Sequence, residues 1–216
     1  MTEITLIRHG QANSGARDEV GYDRLSPLGH RQAEWLGAHL RETGGHVPRL
    51  FCGTLNRHVE TAASMGFAEA TRDARLNELE YFTLAHLLDI QHGVPVPADR
   101  EGFIRHLPQV FTAWAEDRIE GAPERFAAFE KRIEDVLHEI AAGPGSALVV
   151  TSGGLIAMAM RRFLNLDMAA TARLALAILN TSVHRLFPIG EQLTPTLFNA
   201  VPHLETPDRR FAQTHL

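Results

Sequence analysis

Apolar positions follow two rhythms along this chain, and each predicts a different kind of element. Ile4-Thr5-Leu6-Ile7, Leu50-Phe51-Cys52 and Ala147-Leu148-Val149-Val150 are short, nearly continuous apolar or β-branched runs. Such runs read as strands buried on both faces. Between them, apolar residues recur at helical spacing. Ser26 as N-cap and Pro27 at the first helical position open a helix carrying Ala33, Leu36, Ala38 and Leu40, which Gly44-Gly45 stop. A second helix is predicted from about Arg57, with Ala62, Ala63 and Met65 inward. The strongest periodicity is that of Phe126, Phe129, Ile133, Val136, Leu137 and Ile140. Gly153-Gly154 begins a further helix to about Phe163, and Leu176–Leu179, Ser182–Phe187 and Thr196–Phe198 read as later strands.

Residues 78–120 are less regular, with Pro95, Pro97 and Pro108 expected to break two apolar-rich helical stretches. They read as a lid-like helical insertion over one end of the sheet. Strands alternating with helices predict an α/β fold, a three-layer α/β/α sandwich with a mostly parallel central sheet. The 216 residues suit one domain spanning 1–216. Ligands of such sheets sit beyond the carboxyl ends of the strands. That rule points to Arg8-His9-Gly10, to the Cys52–Arg57 segment and to Thr151-Ser152-Gly153-Gly154.

Composition narrows the field. A net charge of −5 argues against an electrostatic role on nucleic acid or an acidic membrane, so an anionic substrate needs a local cluster of cations. Lys131 is the sole lysine among 21 basic residues, and arginine suits two-pronged recognition of phosphate or carboxylate. Cys52 stands alone, which excludes an internal disulfide. Met1–Arg8 lacks the basic and long apolar segments of a signal peptide, and no run approaches the roughly 20 apolar residues of a membrane span. A cytoplasmic protein is expected, with the oligomeric state open, a homodimer included.

A histidine at the end of a strand, followed by glycine, can have one ring nitrogen held by a backbone carbonyl while the other stays free to attack. Neutral imidazole is a competent nucleophile toward phosphorus near pH 7. His9 has that setting, with Arg8 beside it. It is followed in order by Leu25-Ser26-Pro27-Leu28-Gly29-His30-Arg31-Gln32-Ala33, by Cys52-Gly53-Thr54-Leu55-Asn56-Arg57-His58-Val59-Glu60-Thr61-Ala62 and by Leu76-Asn77-Glu78. In order and spacing these segments resemble the histidine phosphatase superfamily, or phosphoglycerate mutase-like proteins, from Thr5 to about Leu186.

The resemblance implies that His9 is the phosphorylated nucleophile, that Arg8 and Arg57 clamp the transferring phosphoryl group, and that Glu78 protonates the leaving oxygen. Asn13 and Gly153 are expected to contact substrate. These roles make chemical sense, because phosphoryl transfer is catalysed chiefly by positioning and electrostatic stabilisation. The implied activity is hydrolysis of a small phosphorylated molecule through phospho-His9, without cofactor or metal. A mutase is disfavoured because Leu79-Glu80-Tyr81-Phe82-Thr83-Leu84 lacks the Tyr-Gly and Gly-Lys elements of true mutases. The chain departs from the family at Ser152, where most members carry a second phosphate-binding histidine. Ser152 and the Gly153 amide can still hydrogen-bond phosphate, but one positive charge is lost, so a slower enzyme is expected. Replacing Ser152 by histidine should raise activity if the turn admits the ring. A catalytically weakened phospho-ligand-binding protein is the alternative that Ser152 keeps open.

Three other chemistries are weaker. Ser152 as a hydrolase nucleophile, with Asp167 and His184, lacks the glycine two positions before it. Cys52 and Arg57 are separated by four residues, where a cysteine phosphatase loop needs five. The histidines include no His-Glu-x-x-His pattern and no Cys/His cluster, so a metal site is not expected.

Overall fold

Successive side chains of a strand point to opposite faces, and here both faces are covered. The computed structural model describes the chain except residues 14, 46–48, 68 and 216. Strands β1 (Ile4–Arg8), β2 (Arg49–Cys52) and β4 (Ala147–Thr151) form the buried centre. Ile4, Leu6, Ala147 and Val149 face one apolar cluster, while Ile7, Leu50, Cys52, Leu148 and Val150 face another. The first cluster is closed by α6 (Phe126–Ala142) and α7 (Gly153–Leu164), the second by α2 (Pro27–Glu42) and α3 (Asn56–Ser64). This is the three-layer sandwich that the unbroken apolar runs predict.

Among the described residues the sheet has six strands in the order β3-β2-β4-β1-β5-β6, with β3 at Thr71–Arg72, β5 at Val183–Ile189 and β6 at Gln192–Ala200. β1, β2, β3 and β4 run parallel, whereas β5 pairs antiparallel with both β1 and β6. Parallel pairing of β1, β2 and β4 brings their carboxyl ends to one edge. Arg8 lies opposite Thr151 and Cys52 opposite Val150. Two glycines let the chain close tightly beside that edge. A Cβ on Gly10 would overlap the Gly29 carbonyl, and one on Gly29 the Gln11 carbonyl, so β1's outgoing turn and the first turn of α2 pass backbone against backbone.

Two sequence expectations fail. Leu176–Leu179 is not a strand: α8 (Met168–Ala177) runs to Ala177, its start capped by Asp167, whose carboxylate accepts the Ala170 N–H at 2.7 Å. Alternating Ala and Leu are strong helix formers, and that propensity wins over the short apolar run. Pro108 does not break its helix either. The insertion comprises α4 (Tyr81–His92) and α5 (Arg100–Ala115), with Pro108 inside α5. The proline deprives the Ile104 carbonyl of its partner, but Ile104 lies on the exposed face, where water can replace the lost N–H. On the opposite face Leu107, Val110, Phe111 and Trp114 are buried and hold the helix in place. Among the described residues no helix is long and apolar enough to cross a membrane.

Candidate active site

The turn after β1 is fixed from both sides. The His9 N–H donates to the Thr151 carbonyl at 2.8 Å, and the His9 carbonyl accepts from the Thr181 N–H and the Asn180 amide, both at 3.3 Å. The ring is almost wholly buried. Its Nδ1 lies 2.7 Å from the Gly10 carbonyl. A carbonyl only accepts, so Nδ1 carries the proton and Nε2 presents a lone pair. Burial is the main cause holding the imidazole well below its ordinary pKa, and the nearby Arg57, Arg8 and His58 act in the same direction. His9 is therefore neutral at physiological pH, the form a nucleophile needs.

Two guanidinium groups flank it. Arg8 donates through Nη1 to the Ile178 carbonyl, and Arg57 donates through Nη1 to Asp23 at 3.1 Å. Asp23 also accepts the N–H groups of Asn56 and Arg57, at 3.0 and 3.2 Å. It thus does for α3 the capping that Leu55, at the N-cap position, cannot do. The Arg57 guanidinium lies over the Tyr22 ring at 5.1 Å. Both arginines are almost fully buried, and the Nε of each has no hydrogen-bond partner. A buried cation with an unmet donor is costly unless an anion completes it.

Glu78 stands opposite, at the start of α7. Its Oε2 accepts the Gly154 N–H at 2.9 Å and its Oε1 the Leu79 N–H at 3.1 Å. Gly154 is needed there, because a Cβ would collide with the carboxylate. Arg8, His9, Arg57, Glu78, Gly153 and Gly154 form the floor of one cavity of about 510 Å³. Its walls come from the insertion, with Leu79, Tyr81, Phe82, Phe103, Leu107 and Phe111, and from Val96–Arg100, Ala175 and the Ala16–Tyr22 segment that includes α1 (Glu19–Tyr22).

The structure thus brings Arg8, His9, Arg57, Glu78 and Gly153 together. Two expected residues stand apart from the cavity. Asn13 is exposed and donates its side-chain amide to the Gly21 carbonyl at 3.0 Å. Ser152 is fully buried beneath the floor, with Oγ 2.6 Å from His58 Nε2. It occupies the N-cap position of α7 without a capping bond, because its hydroxyl is engaged by His58. Its backbone angles, φ −117° and ψ 163°, are ordinary extended values and not the strained elbow of a serine nucleophile. Asp167 and His184 serve elsewhere, the first capping α8 and the second bonded to Ser182 Oγ at 2.9 Å. Cys52 is a buried core residue of β2.

His58 escaped the sequence reading of the site. Its ring is fully buried, centred 5.7 Å from that of His9, and held below its ordinary pKa by burial and by Arg57. Its position directly after Arg57 at the start of a helix was the available signal. Asp23 and Tyr22, which hold Arg57, carried no comparable signal. Among the described residues no group of His, Cys, Asp and Glu could hold a metal ion.

The fold is that of an α/β protein whose cavity floor holds two buried arginines, and comparison with known families gives it a place. The chain belongs to the histidine phosphatase superfamily (branch 1), whose pattern matches residues 4–201. No curated protein matches it in sequence. Solved structures similar to it include a phosphoserine phosphatase of Entamoeba histolytica, with 17% identity, a TM-score of 0.68, and coverage of 94% of this chain and 100% of that one. YhfR of Bacillus stearothermophilus is also similar, at 20% identity and TM-score 0.67, covering 95% and 100%. A mycobacterial glucosyl-3-phosphoglycerate phosphatase in complex with VO3 has 25% identity and TM-score 0.64, covering 93% and 100%.

Proposed function

We propose that this chain is a phosphatase that hydrolyses a phosphate monoester through a phosphohistidine on His9. The observation that carries this reading is the bare Nε2 of a neutral, buried imidazole between two buried guanidinium groups, each with an unmet Nε donor. In the first step His9 Nε2 attacks phosphorus and the bond to the leaving oxygen breaks. That oxygen takes a proton from the Glu78 carboxyl. In the second step water attacks phosphorus, the P–N bond breaks, and the water's proton goes to the Glu78 carboxylate. Inorganic phosphate leaves and His9 is restored. Arg8, Arg57 and the Gly153 amide stabilise the equatorial oxygens throughout.

Ser152 takes the place where most relatives have a second histidine, and His58 supplies an imidazole behind it. With its Nε2 hydrogen-bonded to Ser152 Oγ, His58 positions that hydroxyl at the mouth of α7. The related phosphoserine and glucosyl-3-phosphoglycerate phosphatases support hydrolysis over mutase chemistry. Rapid quench with phosphoryl-labelled aryl phosphate should trap acid-labile, base-stable label on His9. Label on Ser152 or Cys52 would sink the mechanism. Phosphate binding without any turnover or label would instead favour a phospho-ligand-binding protein.

A further inference from the structure

We propose that the leaving group of the substrate is apolar, an alkyl or aryl chain that fills the cavity above the phosphoryl site. This rests on the phosphatase reading and adds the class of ester. Among the described residues that line the cavity, the buried polar side-chain atoms without a partner are Arg8 Nε and Arg57 Nε, both on the floor. Above the floor, Arg17 is exposed to solvent and Tyr22 lies beneath the Arg57 guanidinium, while the remaining polar side chains that reach the cavity each have a protein partner. Tyr81 Oη pairs with His106 Nδ1 at 2.9 Å, and Glu19 Oε1 accepts the Phe82 N–H at 2.8 Å. Asp99 Oδ1 accepts the Gly102 N–H at 2.7 Å, and Arg100 pairs with His215 at 2.5 Å.

A pocket built for a polyol or an amino acid would hold unmet donors and acceptors over its ligand, since a buried polar group discriminates by needing its partner. This wall instead offers Leu79, Phe103, Leu107 and Phe111, from the insertion. Burial also pushes the Glu19 carboxyl up to about 7, so that the wall's one half-buried acid is largely uncharged below neutrality. A volume of about 510 Å³ is that of a site for a small organic molecule, far more than a phosphoryl group needs.

The test uses the wild-type protein and two homologous series, n-alkyl phosphates and the non-hydrolysable n-alkylphosphonates, from ethyl to octyl. Burying one methylene contributes about 0.8 kcal/mol, so kcat/KM for the phosphates and affinity for the phosphonates should each rise about fourfold per carbon until the cavity is full. Phosphoserine and glycerol phosphate should fall well below alkyl phosphates of equal length. Phe103→Ala should flatten the slope for the longer chains. A flat or falling series in a protein that still labels on His9 would overturn the inference. If no ester is turned over and His9 takes no label, yet phosphonate affinity climbs with chain length, the phosphatase reading fails and the apolar site stands. Flat phosphonate affinity removes the apolar site whatever the turnover.

Discussion

The floor and the wall of this cavity are built on opposite principles. On the floor, Arg8, His9 and Arg57 each have a dedicated partner that fixes one polar atom, and both Glu78 oxygens accept backbone N–H groups. The wall is mostly apolar side chains from the insertion and the Ala16–Tyr22 segment, set in place largely by packing. A polar group can only be buried where its surroundings satisfy it, so the floor is specified residue by residue. Apolar walls tolerate exchange of one hydrophobe for another, and their information is spread over shape and volume. Under the proposed function, chemistry resides in the floor and choice of substrate in the wall.

Changes on the floor should act alike on every ester. The largest effect expected is that of His9→Ala, about a thousandfold or more in kcat for alkyl and aryl phosphates alike, as removal of a nucleophile requires. Steady-state kinetics on both kinds of ester checks it. A loss confined to one ester would place His9 in recognition and erase the division.

Acid offers a further test, because several imidazoles are buried, His106 behind the wall among them. Burial is the main cause holding His9 and His58 well below their ordinary pKa, and it lowers His184 and His203 to about 3. For a histidine depressed in the folded state, the unfolded chain binds the proton first. Stability is then complete above the unfolded value near 6.5 and falls as pH drops toward the folded value. Each such group costs up to about 1.4 kcal/mol per pH unit in that window. Glu19 works in the opposite sense between its unfolded value and about 7, which offsets part of the effect. Urea midpoints should therefore fall steadily from pH 6.5 to pH 5. A flat profile would mean that these imidazoles charge without cost, and the account of His9 as a neutral nucleophile would lose its footing.

Arg57→Lys should cost at least tenfold in kcat/KM, about 1.4 kcal/mol, on every substrate. Lysine cannot keep the Asp23 bond and the place over Tyr22 while offering a second donor to phosphate. Wild-type kinetics in that variant would put Arg57 outside the chemistry.

The same contrast governs how much could be read from the sequence. His9, Arg8, Arg57 and Glu78 lie in short motifs that the family resemblance ties together, so their meeting in one cavity was legible in the sequence. The unbroken apolar runs Ile4–Ile7 and Ala147–Val150 likewise announced the central sheet. Phe103, Leu107 and Phe111 look like any core residues, and only the packing of α4 and α5 shows that one side of them lines a cavity. Pro108 misled because local rules cannot know that burial of Leu107 and Phe111 outweighs one missing hydrogen bond. Asn13, expected on the substrate, gives its amide to the Gly21 carbonyl and does not line the cavity.

The smallest expected effects concern Ser152 and His58, and they test whether the floor's second imidazole acts from α3. One neutral hydrogen bond contributes about 0.5–1.5 kcal/mol, so Ser152→Ala should lower kcat/KM by roughly two- to tenfold. His58→Ala should lower it by a similar factor, because it leaves Ser152 Oγ without the partner now 2.6 Å away. The two losses should not add, since both remove the same interaction. Ser152→His alone, which the sequence reading has raising activity only if the turn admits the ring, should lower it: Ser152 is fully buried and the His58 ring already fills the adjoining space. Paired with His58→Ala, however, the introduced imidazole has room, and the double variant should exceed either single variant in kcat/KM. Thermal midpoints measured alongside separate this from misfolding, because the double variant must recover stability and activity together. If the losses of His58→Ala and Ser152→Ala simply add, or if the double variant is no better than Ser152→His, the two residues act independently and His58 is packing behind the floor.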